Sequence, residues 1–241
     1  SGLLASGVTA SGMTVSWLYY TCCSHPAEIE EACRRQILRC RTDEELVTVS
    51  LQPIPFGDVN IVLPLTRGAM ALQQQIYTGL QRVTGDVVFF VENDVLYHPS
   101  HFAFRPARAD VFYYNLNLWR VRYADGHAVR TRICRQVSGL CADRELLLAH
   151  YKRRVERFTA EGGFDRRVGY EPGCNHKPRG IDDTQAEDWR SALPNLDIRH
   201  RKTMTASKWS PADFRNKQWA EGWEETDAAI PGWGRPADVM A

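Results

Sequence analysis

Val87-Val88-Phe89-Phe90-Val91-Glu92-Asn93-Asp94 governs the reading of this chain. Five apolar residues without alternation suit a strand covered on both faces, and three polar residues follow directly at its carboxyl end. The strand is therefore placed at Asp86 to Val91. Upstream, Ala69, Leu72, Ile76, Leu80 and Val83 recur at helical spacing up to a stop at Gly85, which predicts a helix. A loop rich in Pro and Gly (Pro53, Pro55, Gly57) separates that helix from a strand at Leu46 to Leu51. Further back, Ile29, Cys33, Ile37 and Cys40 mark another helix, with Ser24 as its cap, Pro26 in its first turn, and Glu30–Arg34 and Glu31–Arg35 pairs on its outer face. Thr14 to Tyr20 is the opening strand. Strand, helix, strand, helix, strand implies right-handed crossovers, a parallel sheet covered on both sides, and ligands at the carboxyl ends of its strands.

Beyond Asp94 the pattern changes. Val111 to Tyr114 and Leu118 to Arg122 read as strands, and Ala124-Asp125-Gly126-His127 as a hairpin turn into Ala128 to Ile133. A third helix is expected over Arg144 to Phe158, on the stripe Leu147, Tyr151, Val155 and Phe158. From Gly162 onward Gly, Pro and Trp are frequent and periodicity is weak, so this part reads as loops folded over the sheet. The expectation is one α/β domain with a largely parallel central sheet, helices on both faces and a mixed, loop-rich second half. Residues 13–104 would form its ligand-binding half and 105–241 the other, with 1–12, small and polar before Met13, read as an expression remnant.

Composition narrows the function classes. The 241 residues are 44% hydrophobic and 24% charged, which are globular values. Thirty Lys and Arg against 29 Asp and Glu leave a net charge of +1, so any attraction to a polyanion must be local. No apolar run approaches the length of a membrane span. Seven cysteines without a CxxC pair point to free thiols in a reducing cytoplasm, and a zinc site at Cys174 and His176 would lack two further ligands.

The polar end of the central strand carries the chemistry. Glu92 and Asp94 flank one residue, and two carboxylates held together at the end of a buried strand are costly unless a cation neutralises them. Oxygen ligands suit Mg2+ or Mn2+, which keep positions open for a substrate's phosphate oxygens. A solvated acidic turn is the plainer alternative.

The stretch from Val15 to Phe104, with Glu92-Asn93-Asp94 in the place of an Asp-x-Asp motif, resembles the nucleotide-binding half of GT-A-fold glycosyltransferases, family-2-like. Pro194-Asn195-Leu196-Asp197-Ile198-Arg199-His200 resembles the segment that supplies a histidine to the metal in many of these enzymes. The resemblance implies a GT-A-like, Rossmann-like domain and a metal-dependent sugar transfer from a nucleoside diphosphate donor, with UDP-sugar favoured. It implies Asp94 and His200 as ligands of Mn2+ or Mg2+. Glu92, a departure from Asp, would sit with Asn93 on the donor; Arg67 and Lys202 would meet phosphate oxygens, and Tyr20 and Thr21 the base. Asp183, with Asp182 and Glu171 as further candidates, would take a hydroxyl proton from the acceptor. Asn117 and Trp119 are the candidate acceptor contacts.

The acceptor stays open between a saccharide or glycoconjugate and a hydroxymethylated pyrimidine in DNA, because the chain also resembles phage-encoded transferases that decorate modified bases. Arg130 to Arg157 holds eight basic and three acidic residues, and Arg199 to Lys217 six basic and one acidic, so either segment could face an anionic acceptor. A non-catalytic carbohydrate- or partner-binding module retaining the fold is the alternative function. A nucleotidyltransferase is a third, set back by the lack of a Gly-rich phosphate loop after the first strand.

Overall fold

In the computed structural model, which describes residues 12–174 and 185–239, the apolar runs become the centre of a seven-stranded sheet. β1 (Val15–Thr21) lies parallel to β4 (Val87–Glu92), with Trp17 opposite Phe89 and Tyr20 opposite Glu92. β2 (Glu45–Ser50) flanks β1 in parallel and is followed outward by β3 (Val59–Val62). The sheet continues on the other side of β4 through β9 (Leu140–Asp143), β6 (Val111–Asn115) and β10 (Gln185–Trp189). Only β9 runs against its neighbours, so the expected largely parallel sheet is present.

Because these strands carry apolar residues on both faces, each face needs its own cover. On one side, α2 (Ala69–Arg82) and α3 (Arg144–Ala160) set Ile76, Leu80, Leu147 and Tyr151 against Leu18, Val49, Val88 and Phe90. On the other, Ile37 of α1 (Ala27–Cys40) joins Trp17, Tyr19, Phe89, Val91 and Phe102. Each such side chain contributes roughly 1.5–3 kcal/mol on burial. The first turns of α1 use Ile29 and Cys33 differently. They cover a second, five-stranded sheet of β12 (Glu224–Thr226), β8 (Ala128–Arg130), β7 (Leu118–Arg122), β11 (Asn195–Arg199) and β5 (Val95–Leu96). α1 thus bridges the two sheets.

Six strands escaped the sequence reading, among them the two-residue β5 and, in the part read as loops, β12. β3 follows the Pro/Gly-rich loop, and β9 is a short segment just before α3. β10 and β11 lie in the part read as loops, yet every residue of β11 is buried. Two boundaries also moved: Pro26 rather than Ser24 is the residue at the cap of α1, without a side-chain cap, and β8 ends at Arg130.

Gly85, between α2 and β4, rests on β1: a Cβ there would stand 2.7 Å from the Ser16 backbone nitrogen and 2.8 Å from the Val15 carbonyl carbon. Backbone cannot turn aside as a side chain can. Gly85→Ala is expected to cost about 1–3 kcal/mol through this overlap, read as a lower urea midpoint at unchanged slope. An unchanged midpoint would show that the turn has room to move.

Candidate functional site

Three strand ends converge. β1 and β4 are neighbours, so Thr21 and Glu92 finish side by side. β11 belongs to the smaller sheet, but it pairs with β5 just past Asp94, and the Ile198 amide donates to the Asp94 carbonyl at 2.8 Å. That register brings His200, the residue after β11, to the Asp94 side chain. After β1 the chain turns sharply at Cys23, whose φ of 54° lies in the left-handed region. The turn is held by the Cys23 amide donating to Thr21 Oγ1 at 2.9 Å, and it carries His25 back to the same place. Cys23→Gly should be neutral or slightly stabilising, whereas β-branched Cys23→Val should cost about 1–2 kcal/mol, measurable as a drop in Tm. Equal Tm values for the two variants would refute this account of the turn.

His25, Asp94 and His200 form a cluster whose ligand atoms all lie within 4.8 Å of one another. Asp94 Oδ2 is 3.7 Å from His200 Nε2, a nitrogen that is buried and has no hydrogen-bond partner among the described residues. The two imidazoles meet edge to face, with centroids 4.5 Å apart. The residues fit a divalent ion. At bond lengths of about 2.1 Å two ligands across an ion stand up to roughly 4.2 Å apart, so only a small contraction is needed. Loading also requires the His200 tautomer with a free Nε2 lone pair, and the 3.3 Å hydrogen bond from the Lys202 amide to Nδ1 must slacken for it. With His25 beside the expected Asp94 and His200, the cluster is two imidazoles and one carboxylate. Nitrogen donors favour Mn2+ and later metals over Mg2+.

Around the cluster further carboxyls are buried close together. Glu92 does not join the ligands: it accepts a hydrogen bond from the Tyr20 hydroxyl at 2.9 Å, and burial, reinforced by the Asp94 charge, pushes its carboxyl up to about 8. Burial raises Asp197 too, against the pull of Arg199. Asp197 accepts from Gln136 at 3.0 Å and from Arg199 at 3.3 Å. Arg199 in turn donates to Ser207 Oγ and to the Thr205 carbonyl, which ties down the loop after His200. Burial works against the Cys22 thiolate, but hydrogen bonding to His25 and Ser24 brings the thiol down to about 7. His25 is held above its usual value by Cys22 and Asp94, in spite of burial. A cation bound here would favour ionisation of these raised carboxyls, which a single guanidinium does not balance.

The cluster sits at the rim of a cavity of about 150 Å³ lined by, among others, Tyr20, Leu51, Leu72, Gln75 and Glu171. That volume admits one aromatic ring. Of the residues singled out for a donor, Tyr20, Thr21, Arg67, Glu92 and Asn93 all line this cavity, whereas Lys202 lines a neighbouring one. Tyr20 is 4% exposed and Thr21 2%, so both are wall rather than freely presented groups. Thr21 Oγ1 accepts from Asn93 at 2.8 Å and donates to Glu30 at 3.1 Å. Asn93 Nδ2 also lies 3.0 Å from His25 Nδ1 and orients that ring. Arg67 donates to the Lys202 carbonyl, and the Lys202 ammonium to the Ser24 carbonyl at 2.6 Å, which gathers two cations beside the turn that carries His25. Glu171 has its carboxyl raised by burial.

Two expectations fail. Trp119 is 6% exposed in the core of the smaller sheet, with the Arg130 guanidinium 4.6 Å over its ring, and it lines neither cavity. Its alternating strand position points it under α1. Asn117 also lines neither: it donates to the Ser191 carbonyl at 2.8 Å and fixes the turn between β6 and β7. Asp182 and Asp183 lie outside the described residues. His25 was missed. The available signal was its place four residues past the end of β1, on the same sheet edge as Asp94.

The fold is a mixed α/β domain with a largely parallel central sheet, the architecture expected from the sequence. No protein-family model and no curated protein matches the chain. Solved structures do. One is a β1,4-galactosyltransferase 7 from Drosophila with manganese, UDP-Gal and xylobiose, at 12% identity over 83% of this chain and 78% of that one, with a TM-score of 0.41. A second is glucosyl-3-phosphoglycerate synthase from Mycobacterium tuberculosis with Mn2+, UDP and glucosyl-3-phosphoglycerate. It has 15% identity over 56% of this chain and 58% of that one, with a TM-score of 0.35. A nucleotidyl transferase from Methanothermobacter matches at 12% identity over 58% of this chain and 76% of that one, with a TM-score of 0.39. Among the described residues no helix is long and apolar enough to cross a membrane, and all seven cysteines are free thiols.

Proposed function

We propose that this protein is a metal-dependent glycosyltransferase that moves a sugar from a nucleoside diphosphate, in the first place UDP, to an acceptor hydroxyl in the cytoplasm. The observation that carries this is the His25, Asp94 and His200 cluster at the rim of a ring-sized cavity, on the carboxyl edge of the sheet. The base enters between Tyr20, Leu51 and Leu72, so that its diphosphate leaves the cavity beside the cluster. His25, Asp94 and His200 hold the ion, Mn2+ by their donor set. A bound divalent ion supplies Lewis-acid neutralisation of the charge that gathers on the departing diphosphate. Arg67 and Lys202 add fixed positive charge at the same rim, and Asn93 keeps His25 in position.

The acceptor hydroxyl must lose a proton as the new bond forms. Asp183, Asp182 and Glu171 are the carboxylates proposed for that step. Glu171 is supported by its place in the cavity wall and by burial, since a carboxyl raised from its ordinary range is a stronger base. The test is calorimetric titration with UDP, GDP, CDP and dTDP in the presence of Mn2+ or of a chelator. UDP is expected to bind at least about tenfold tighter with Mn2+ than with the chelator, and release of UDP from a UDP-sugar to follow. Binding without release would leave the carbohydrate-binding module as the reading. Indifference to Mn2+ would overturn the proposal.

A further inference from the structure

On the far side of the loop after His200 lies a second cavity of about 830 Å³, within the usual range for a ligand site. It shares Arg199, Thr203 and Thr205 with the donor cavity, and His200 stands in its wall, so the two spaces meet at the metal cluster. Among the described residues its wall contains no Asn, Gln or Asp, and the one carboxylate among them, Glu28, already accepts the Tyr123 hydroxyl at 2.7 Å. The described part of this wall therefore offers none of the free planar amides and carboxylates that read the hydroxyl pattern of a neutral sugar. What it offers is positive charge and aromatic surface. Arg201 is exposed and has no hydrogen bond or ion pair among the described residues, whereas Arg130, Arg132 and Arg135 on nearby segments each face a carboxylate. Trp209 lies under the Arg122 guanidinium at 5.1 Å, and Tyr123 is 37% exposed.

Cations to follow a phosphodiester chain, together with aromatic faces for its bases, are the recognition elements of single-stranded nucleic acid. We infer that the second cavity takes the acceptor and that this acceptor is a nucleic-acid strand, with a nucleotide reaching past His200 toward the donor. This rests on the transferase reading above and specifies its acceptor. Phosphate contacts also predict salt dependence. Two or three of them give a logarithmic slope of about -2, or roughly fifteenfold weaker binding between about 50 and 200 mM NaCl.

The test is fluorescence anisotropy of the full chain with a labelled oligothymidylate, alongside calorimetry with a neutral maltooligosaccharide, an oligosaccharide phosphate and UDP with Mn2+. The oligonucleotide should bind with the stated salt slope. Arg201→Glu and Trp209→Ala should each weaken it about tenfold and leave UDP binding unchanged, and the neutral oligosaccharide should not compete. Oligonucleotide affinity untouched by either substitution, or competition by the neutral sugar, would overturn the inference. So would an oligosaccharide phosphate that binds as tightly as the strand and ignores Trp209→Ala. Loss of UDP binding with the strand still bound counts against the transferase reading alone; the reverse outcome counts against the nucleic-acid acceptor alone.

Discussion

Asp94→Asn is expected to lower metal-dependent turnover about a hundredfold to a thousandfold while leaving the fold intact. The substitution is isosteric, and the backbone contact that fixes the register of β11, from the Ile198 amide to the Asp94 carbonyl, does not involve the side chain. What it removes is the one carboxylate in the proposed ligand set of His25, Asp94 and His200, as found among the described residues. Two neutral imidazoles remain, with no charge to offset a divalent ion and a weaker neutralisation of the leaving diphosphate. Several kcal/mol of electrostatic stabilisation correspond to two or three powers of ten in rate. The metal-free protein should not lose stability, because a neutral amide in place of the Asp94 carboxylate would relieve repulsion with buried Glu92 and Asp197. Three readings settle it: Mn2+ binding followed by electron paramagnetic resonance, turnover of UDP-sugar, and the thermal midpoint without metal. Retained turnover, or Mn2+ still held tightly by Asp94→Asn, would show that the ion is bound elsewhere.

How far the sequence carried this site depended on whether each residue's neighbours were close along the chain. β1, α1, β2, α2 and β4 announce themselves because strands buried on both faces need unbroken apolar runs and their helices an apolar stripe. Asp94 follows from them, since the end of a parallel strand is where a ligand sits. β11 gave no such signal: Asn195-Leu196-Asp197-Ile198-Arg199 alternates polar and apolar like a half-exposed strand, yet all five residues are buried. Its polar members are buried in pairs, Asp197 with Arg199 and Gln136, and Asn195 with the His98 amide. The pairings with Gln136 and His98 join residues 61 and 97 positions apart, which a local pattern cannot show. His25 was hidden for a related reason. It follows a turn whose left-handed Cys23 no preference for cysteine foretells, and its partners lie just past β4 and just past β11. Trp119 erred the other way: an aromatic residue read as a platform is core, because α1 reaches across to the smaller sheet.

Acidification should weaken this protein relative to its His101→Phe variant, because His101 carries an acid-sensitive share of the stability. His101 is fully buried, and burial lowers its pKa from 6.5 to about 3. A group depressed in this way adds stability that is complete above the unfolded value of 6.5 and is lost as the pH falls toward 3. Over that window the loss is on the order of 4–5 kcal/mol, a large part of a typical domain's total. The ring also has a partner that cannot follow its protonation. Asn115 Nδ2 lies 2.9 Å from His101 Nδ1 and donates to it, while Asn115 Oδ1 accepts the amides of Ser191 and Asn117. A second proton on the imidazole would set donor against donor, and turning the Asn115 amide over would release both amides. Those contacts fix the segment that leads from β10 into β11 and so to His200, which couples the acid-sensitive ring to the site. The phenyl ring of His101→Phe keeps the stacking on Trp189, now 5.6 Å from the His101 ring, and should cost about 1 kcal/mol at neutral pH for the lost acceptor. Urea midpoints at about pH 7, 5 and 4 should therefore converge and then cross, with the variant the more stable at the most acidic point. Taking the difference between the two proteins cancels Glu92 and Asp197, whose raised carboxyls make the opposite contribution on acidification. Parallel pH profiles for wild type and variant would show that the acid lability lies in other groups.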